Sequence, residues 1–380
     1  MAEKITCING SVLKWARVQC GDLQLKSIEE LLPKIEAWER GEDYPTYAQL
    51  EKLAEAYRKP IAVFFFPNPP EGVSYKAEFR TTSDSELSVL PHKVTRLINE
   101  ALVMQINLQE LTQKPKPKEM VLHNRVKDIS DDKLGIAIRE ILKIDINRQI
   151  KTKNSKEMLE IWRDAFYEQG VYVFKEAFST KNISGFCIYD EQFPIIYLNN
   201  SMSFTRQTFT LFHELYHLIH ETGGIDRIQD DLDDSLSKDQ QHIERMCNHF
   251  AASFLLPKNE LNQAVTDDQL ITYEYVSMLA DKFCVSKETL ILRLIELGKI
   301  DWTFYNEHIK EIHNDFIRNR VTKGRGNSNY NLISYLGRRY LNLVFSAYRE
   351  QRIDAFQLAS YTKTKVSNLP ALERAWGWKV

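Results

Sequence analysis

The chain has 380 residues, of which 43% are hydrophobic and 27% charged, with a formal charge of −2. This is the balance of a soluble globular protein of two or three domains, and it excludes a global charge argument for nucleic acid or membrane. No apolar run approaches the roughly 20 residues of a membrane span. The opening "MAEKITCING" lacks the apolar core of a secretory signal. Five scattered cysteines form no CxxC pair, which favours reduced thiols over a disulfide frame; the expected setting is cytoplasmic.

In chain order, residues 12–59 read as short helices with apolar periodicity, broken at Gly21, Pro33 and "GEDYP". "AVFFFPNPPEG" closes this unit near residue 71. A polar segment precedes "HKVTRLINEALVMQINLQEL" (92–111), an amphipathic helix, and "TQKPKPKEM" reads as a linker. Helical patterns at 131–143 and 155–169 lead into three strand-like runs, "VYVF", "GFCIYD" and "PIIYLN". A helix at about 204–220, a Gly/Asp-rich loop (221–238) and a second helix (239–255) come next, then helices near 271–283 and 287–298. Residues 301–380 hold 13 basic and 7 acidic side chains, with "VTKGRGNSN" as an internal connector.

The stretch "FTLFHELYHLIHETGG" (209–224) carries the chemistry. His213 and His217 are four apart, so on a helix they share one face with Cβ atoms about 5–6 Å apart. That spacing suits two imidazoles gripping one zinc at about 2.0–2.1 Å. Glu214, rotated about 100° from His213, flanks the metal instead of binding it, and is placed to relay a proton from water to a leaving amine. This is the HExxH pattern of zinc peptidases.

A third ligand must come from elsewhere. His220 lies seven residues from His213, roughly 10 Å along the axis, which is too far for one ion. The acids Asp226, Asp230, Asp231, Asp233 and Asp234 could reach the ion, but "DDLDDS" reads more simply as a solvated loop. The second helix offers Glu244, with Met246, Phe250, Phe254 and Leu255 available to pack it on the first helix. Glu244 would complete a two-histidine, one-glutamate zinc site with a vacant fourth position. Asn248, one turn on, is placed to hold that carboxylate.

The run "FPIIYLNNSMSFTRQTFTLFHELYHLIH…IERMCNHFAASFLLP" resembles the ImmA/IrrE family of zinc metallopeptidases, over roughly residues 155–300. The resemblance implies an α+β, mainly helical fold with a zincin-like core and a small mixed sheet. It also implies Zn2+ as cofactor, His213, His217 and Glu244 as ligands, and Glu214 as base. Cys247 stands where alanine is usual before Asn248. The resemblance further places the strand near "ISGFCIYD" at the edge of the sheet, where an extended substrate segment can pair; the residues alone fit an internal strand equally well.

"VLKWARVQC…IEAWERGEDYPTYAQLEKLAEAYRKPIAVFFFP" resembles an XRE-type helix-turn-helix domain, but the interval from Gly21 to Trp38 is short for two full helices and contains Pro33. Residues 1–70 hold nine basic and ten acidic side chains, so weak DNA binding is expected of them. "VSMLADKFCVSKETLILRLIELG" (276–298) has a helix-turn-helix shape but reads better as core backing the metal helices. In the basic tail, Arg338, Arg339 and "KTK" (363–365) are the better candidates for nucleic acid. The expected organisation is an XRE-like domain at 1–70, a helical linker region at 71–130, a metallopeptidase domain at 131–300 and a basic helical domain at 301–380. The expected function is a zinc endopeptidase cleaving a repressor or antitoxin-like protein in stress, mobile-element or toxin–antitoxin control. The alternative is a non-enzymatic transcriptional regulator or antitoxin-like binding protein that uses a peptidase fold for partner recognition.

Overall fold

The computed structural model describes residues 4–6, 8–18, 32–57, 61–65, 68, 92–178, 180, 182–222, 225–227, 237–266, 270–318 and 328–377. The chain divides into two compact units, Met1–Tyr75 and Lys76–Val380. In the first, α1 (Gly10–Val18), α2 (Leu32–Glu39) and α3 (Tyr47–Ala56) surround a core that includes Val12, Leu13, Ile35, Trp38, Leu50, Leu53 and Phe64. Thr46 and Gln49 form a capping box that starts α3 directly after the "GEDYP" break. A two-pronged bond from Arg17 to Glu39, at 2.6 and 2.9 Å, ties α1 to α2. Residues 19–31, on which the helix-turn-helix resemblance turns, lie outside the described residues, as do 69–91.

The second unit opens with α4 (His92–Leu111), α5 (Leu122–Val126), α6 (Asp131–Leu142), α7 (Ile146–Ile150) and α8 (Ser155–Glu168). Strands β1 (Tyr172–Glu176), β2 (Ile183–Ile188) and β3 (Ile195–Asn199) follow, then α9 (Phe204–Ile219), β4 (Ile225–Arg227) and α10 (Lys238–Leu255). The remaining helices are α11 (Lys258–Ala264), α12 (Tyr273–Phe283), α13 (Lys287–Glu296), α14 (Trp302–Arg318), α15 (Ser328–Leu336), α16 (Arg338–Arg349), α17 (Ala355–Tyr361) and α18 (Leu369–Trp376). The fold is α+β and mainly helical, with a zincin-like core.

The sheet order is β1-β3-β2-β4, with β1 parallel to β3 and the other pairings antiparallel. Register sets Val173, Ile196 and Cys187 side by side, and this face joins Leu211 and Leu215 of α9 in one core. The alternate residues Phe174, Tyr197 and Phe186 form an aromatic row on the other face, with Phe186 and Tyr197 stacked at 5.2 Å. Tyr340 of α16 meets Phe174 edge-on at 5.2 Å, and the Lys363 ammonium sits 5.5 Å from the Tyr197 ring centre. Both faces are therefore covered, which is why these strands read as continuous apolar runs instead of alternating ones.

The strand "ISGFCIYD" is not the edge that the resemblance implied. β2 lies between β3 and β4, because Ile225–Arg227, just beyond α9, adds antiparallel to Ile183, Gly185 and Phe186. β4 therefore occupies part of the expected loop. Asp230, Asp231, Asp233 and Asp234 lie outside the described residues.

The carboxy-terminal helices are fastened to the sheet by an ion cluster whose two cations are buried. Arg163 of α8 donates to the carbonyls of Val173, Ser334 and Tyr335 and to Glu160, which also accepts from buried Lys175 at 2.7 Å. Burial and the Arg163 charge push the Lys175 ammonium down to about 8. Gly337 turns the chain there at φ +85°, and a side chain would press on the Arg163 guanidinium at 3.1 Å. Three of the bases singled out for nucleic acid have partners within this unit. Arg338 lies over Trp376, Arg339 pairs with Glu168 at 3.0 Å, and Lys363 pairs with Glu100 at 2.7 Å. "VTKGRGNSN" falls largely outside the described residues. No helix among the described residues is long and apolar enough to cross a membrane.

α5 contributes a buried imidazole, His123, only 1% exposed, with its ring edge-on to Tyr189 at 5.4 Å. Neither ring nitrogen has a hydrogen-bond partner among the described residues. Burial, aided by the Lys127 charge, pushes the His123 pKa from 6.5 down to about 4. A group with a depressed folded pKa is stabilising while neutral, so stability falls as the pH drops from about 6.5 towards 4. The drop corresponds to about 3 kcal/mol. His123→Leu should shrink the difference in unfolding free energy between pH 7 and pH 4 by about that amount, read from urea titrations. An unchanged difference would assign the acid sensitivity elsewhere.

Candidate metal centre

α9 begins at Ser203, whose hydroxyl accepts from the Arg206 amide, and buries nearly every residue from Gln207 to Ile219. It ends in a Schellman-type turn: Glu221 takes φ 54°, the Thr222 amide donates to the His217 carbonyl at 2.9 Å, and the Glu221 amide donates to Leu218. Gly223 and Gly224, which follow, lie outside the described residues. The turn brings the Thr222 hydroxyl 3.0 Å from His217 Nδ1. Thr222 was missed by sequence reasoning, and its position two residues past a helix end was the available signal.

α10 starts with a Ser237–Gln240 capping box and packs Cys247, Phe250, Ala251 and Phe254 inward, with Phe254 stacked on Phe212 of α9 at 4.1 Å. This packing brings Glu244 to the two histidines. Its oxygens lie 3.1 Å from His213 Nε2 and 3.3 Å from His217 Nε2, and the two Nε2 atoms are 3.3 Å apart. His213 and His217 are at most 1% exposed.

The other edge of each imidazole decides what this triangle is suited to hold. His213 Nδ1 is 3.0 Å from Asn248 Oδ1, an acceptor, so that nitrogen carries the proton. Thr222 donates its hydroxyl hydrogen to the His217 carbonyl, so its oxygen accepts from His217 Nδ1. In neutral imidazoles both Nε2 atoms then present lone pairs to a carboxylate that also only accepts. Three acceptors at 3.1–3.3 Å repel one another unless a cation sits among them. Tetrahedral bonds of 2.0–2.1 Å imply donor separations of about 3.3 Å, and the triangle fits zinc on that measure.

Asn248 therefore bonds His213, not the Glu244 carboxylate. One turn along α10 carries it past Glu244 to the far edge of that imidazole. His220 caps α9 with its ring 4.2 Å from Tyr216, apart from the donor triangle. Tyr216 in turn bonds Asp131, pinning α6 to the ligand helix. His213, His217 and Cys247 also bring one donor atom each within 4.8 Å of one another. α12 and α13 back the site as core, with Leu290, Ile291 and Leu294 buried.

Glu214 is fully buried and faces β2. A Cβ at Gly185 would lie 3.7 Å from Glu214 Oε1, but only 2.4 Å from Thr210 Cγ2 and 2.8 Å from the Tyr197 carbonyl. Glycine alone lets the strand settle this closely on α9. Gly185→Ala should push β2 off the helix and destabilise the chain by about 1–3 kcal/mol, read by denaturant unfolding. A neutral result would mean that β2 shifts without cost.

Residues 167–294 match the peptidase M78 family model, described as the IrrE N-terminal-like domain. No curated protein matches the chain. The matched segment runs from the end of α8 into α13 and includes His213, Glu214, His217, Thr222, Glu244 and Asn248, so the part of the chain that builds the triangle is similar to the IrrE N-terminal-like peptidases.

Proposed function

We propose that the chain is a zinc-dependent endopeptidase that cleaves a specific regulatory protein, a repressor or antitoxin-like partner, in stress, mobile-element or toxin–antitoxin control. The observation that carries the catalytic part is the triangle of three acceptors with both Nδ1 protons committed outward. His213, His217 and Glu244 would hold the ion, and Asn248 and Thr222 keep the imidazoles in the ligating tautomer. Zinc bound there supplies Lewis acidity, which polarises a peptide carbonyl and activates water. Glu214 accepts the proton that attack releases and returns it to the departing amine nitrogen. Burial under β2 keeps its carboxylate away from bulk solvent, and Gly185 sets the depth of that cover. The choice of a regulatory protein as substrate rests on the ImmA/IrrE resemblance.

Purified chain is expected to carry about one zinc equivalent, to leave casein uncut, and to cleave its partner at one site. Removing the metal with a chelator should stop that cleavage, and added zinc should restore it. Partner cleavage that continues in the apo-protein would sink the metal mechanism, and rapid casein digestion would sink the narrow specificity.

A further inference from the structure

Cys247 is the donor that the His213, His217 and Glu244 triangle leaves over. It follows Glu244 by three residues on α10, so both project from the same helix face towards α9. It is fully buried and outside any disulfide, and its sulfur lies within 4.8 Å of one ring nitrogen of each histidine. A zinc–sulfur bond of about 2.3 Å reaches farther than a zinc–nitrogen bond of 2.0–2.1 Å, so a thiolate needs the smaller approach. Packing alone would be met by any small apolar residue. A soft sulfur donor beside two imidazoles has a chemical consequence that alanine would not have.

We propose, resting on the metal reading above, that Cys247 is a further ligand of this centre, whose thiolate closes the position that peptide hydrolysis needs open. With His213, His217 and Glu244 it completes four protein donors, the closed arrangement of a structural zinc site. Coordination forms one metal–sulfur bond and breaks the S–H bond, whose proton leaves to solvent. The same donor biases the site towards zinc or cobalt over magnesium and manganese, which favour all-oxygen ligands. The closed state is latent, and hydrolysis requires that the sulfur give way to water and substrate.

The test is cobalt loading of the full chain, compared with Cys247→Ala, Cys247→Ser, Cys187→Ala and Cys284→Ala. Bound cobalt should give a near-ultraviolet sulfur-to-metal charge-transfer band in the parent, Cys187→Ala and Cys284→Ala, and no such band in either Cys247 variant. Zinc loading of the parent should release one more proton than loading of Cys247→Ala. Cobalt bound stoichiometrically without the band, or a band that survives in both Cys247 variants, would overturn the thiolate ligand and leave the metal site standing. Failure of the parent to take up cobalt or zinc at all would instead overturn the underlying metal reading, and the thiolate ligand with it. The serine variant guards against misfolding, since it keeps the size of the side chain and removes only the soft donor.

Discussion

Glu214→Gln is expected to lower the rate of partner cleavage by about 10²–10⁴-fold while leaving the zinc content unchanged. The two halves of this expectation come from different observations. The rate falls because an amide keeps the shape of the side chain but cannot accept and return a proton. The metal stays because the triangle is closed by His213, His217 and Glu244, with Glu214 turned towards β2. The fold stays because glutamine occupies the same buried volume beneath Gly185. Cleavage by single-turnover kinetics, zinc by elemental analysis and stability by urea unfolding make the three readouts. An unchanged cleavage rate would remove Glu214 as the base. Loss of zinc would mean that this carboxylate belongs to the ligand set after all.

Much of this site was legible because its geometry is local. Four-residue spacing on one helix fixes His213 against His217 whatever surrounds them. Glu244 was legible one level up, because the apolar stripe of α10 that includes Phe250 and Phe254 dictates which side of that helix meets α9. What sequence reading missed depends on backbone geometry between elements. Thr222 reaches His217 only because Glu221 adopts a left-handed conformation that composition does not announce. Asn248 was placed on the right helix face but given the wrong partner, since one turn of rise decides whether it meets a carboxylate or an imidazole. β4 was hidden for a related reason: a three-residue strand in a Gly/Asp-rich stretch carries no periodicity, and only pairing with β2 defines it. The pairing of the basic tail was hidden because charge counts do not show it: Arg339 faces Glu168 and Lys363 faces Glu100.

Glu244→Ala is expected to lose most of the bound zinc, and Asn248→Ala to bind it about 10–100-fold more weakly. The difference in size follows from where each residue acts. Without Glu244, the two imidazoles 3.3 Å apart keep only the Cys247 sulfur beside them, and the ion loses its carboxylate ligand and the charge it supplies. Without Asn248 every donor remains, but His213 Nδ1 loses the acceptor that keeps its proton away from the ligating edge. Thr222→Val should behave like Asn248→Ala, because it removes the same service from His217. The pair should lose affinity together in Asn248→Ala/Thr222→Val, since each mutation frees a different ring. Competition titrations against a chelator of known affinity read the whole series on one scale. The ordering is the diagnostic: a weaker effect for Glu244→Ala than for Asn248→Ala would invert the proposed roles. Full zinc retention in Glu244→Ala would remove Glu244 from the ligand set, and among the described residues it would leave Cys247 as the third donor beside His213 and His217.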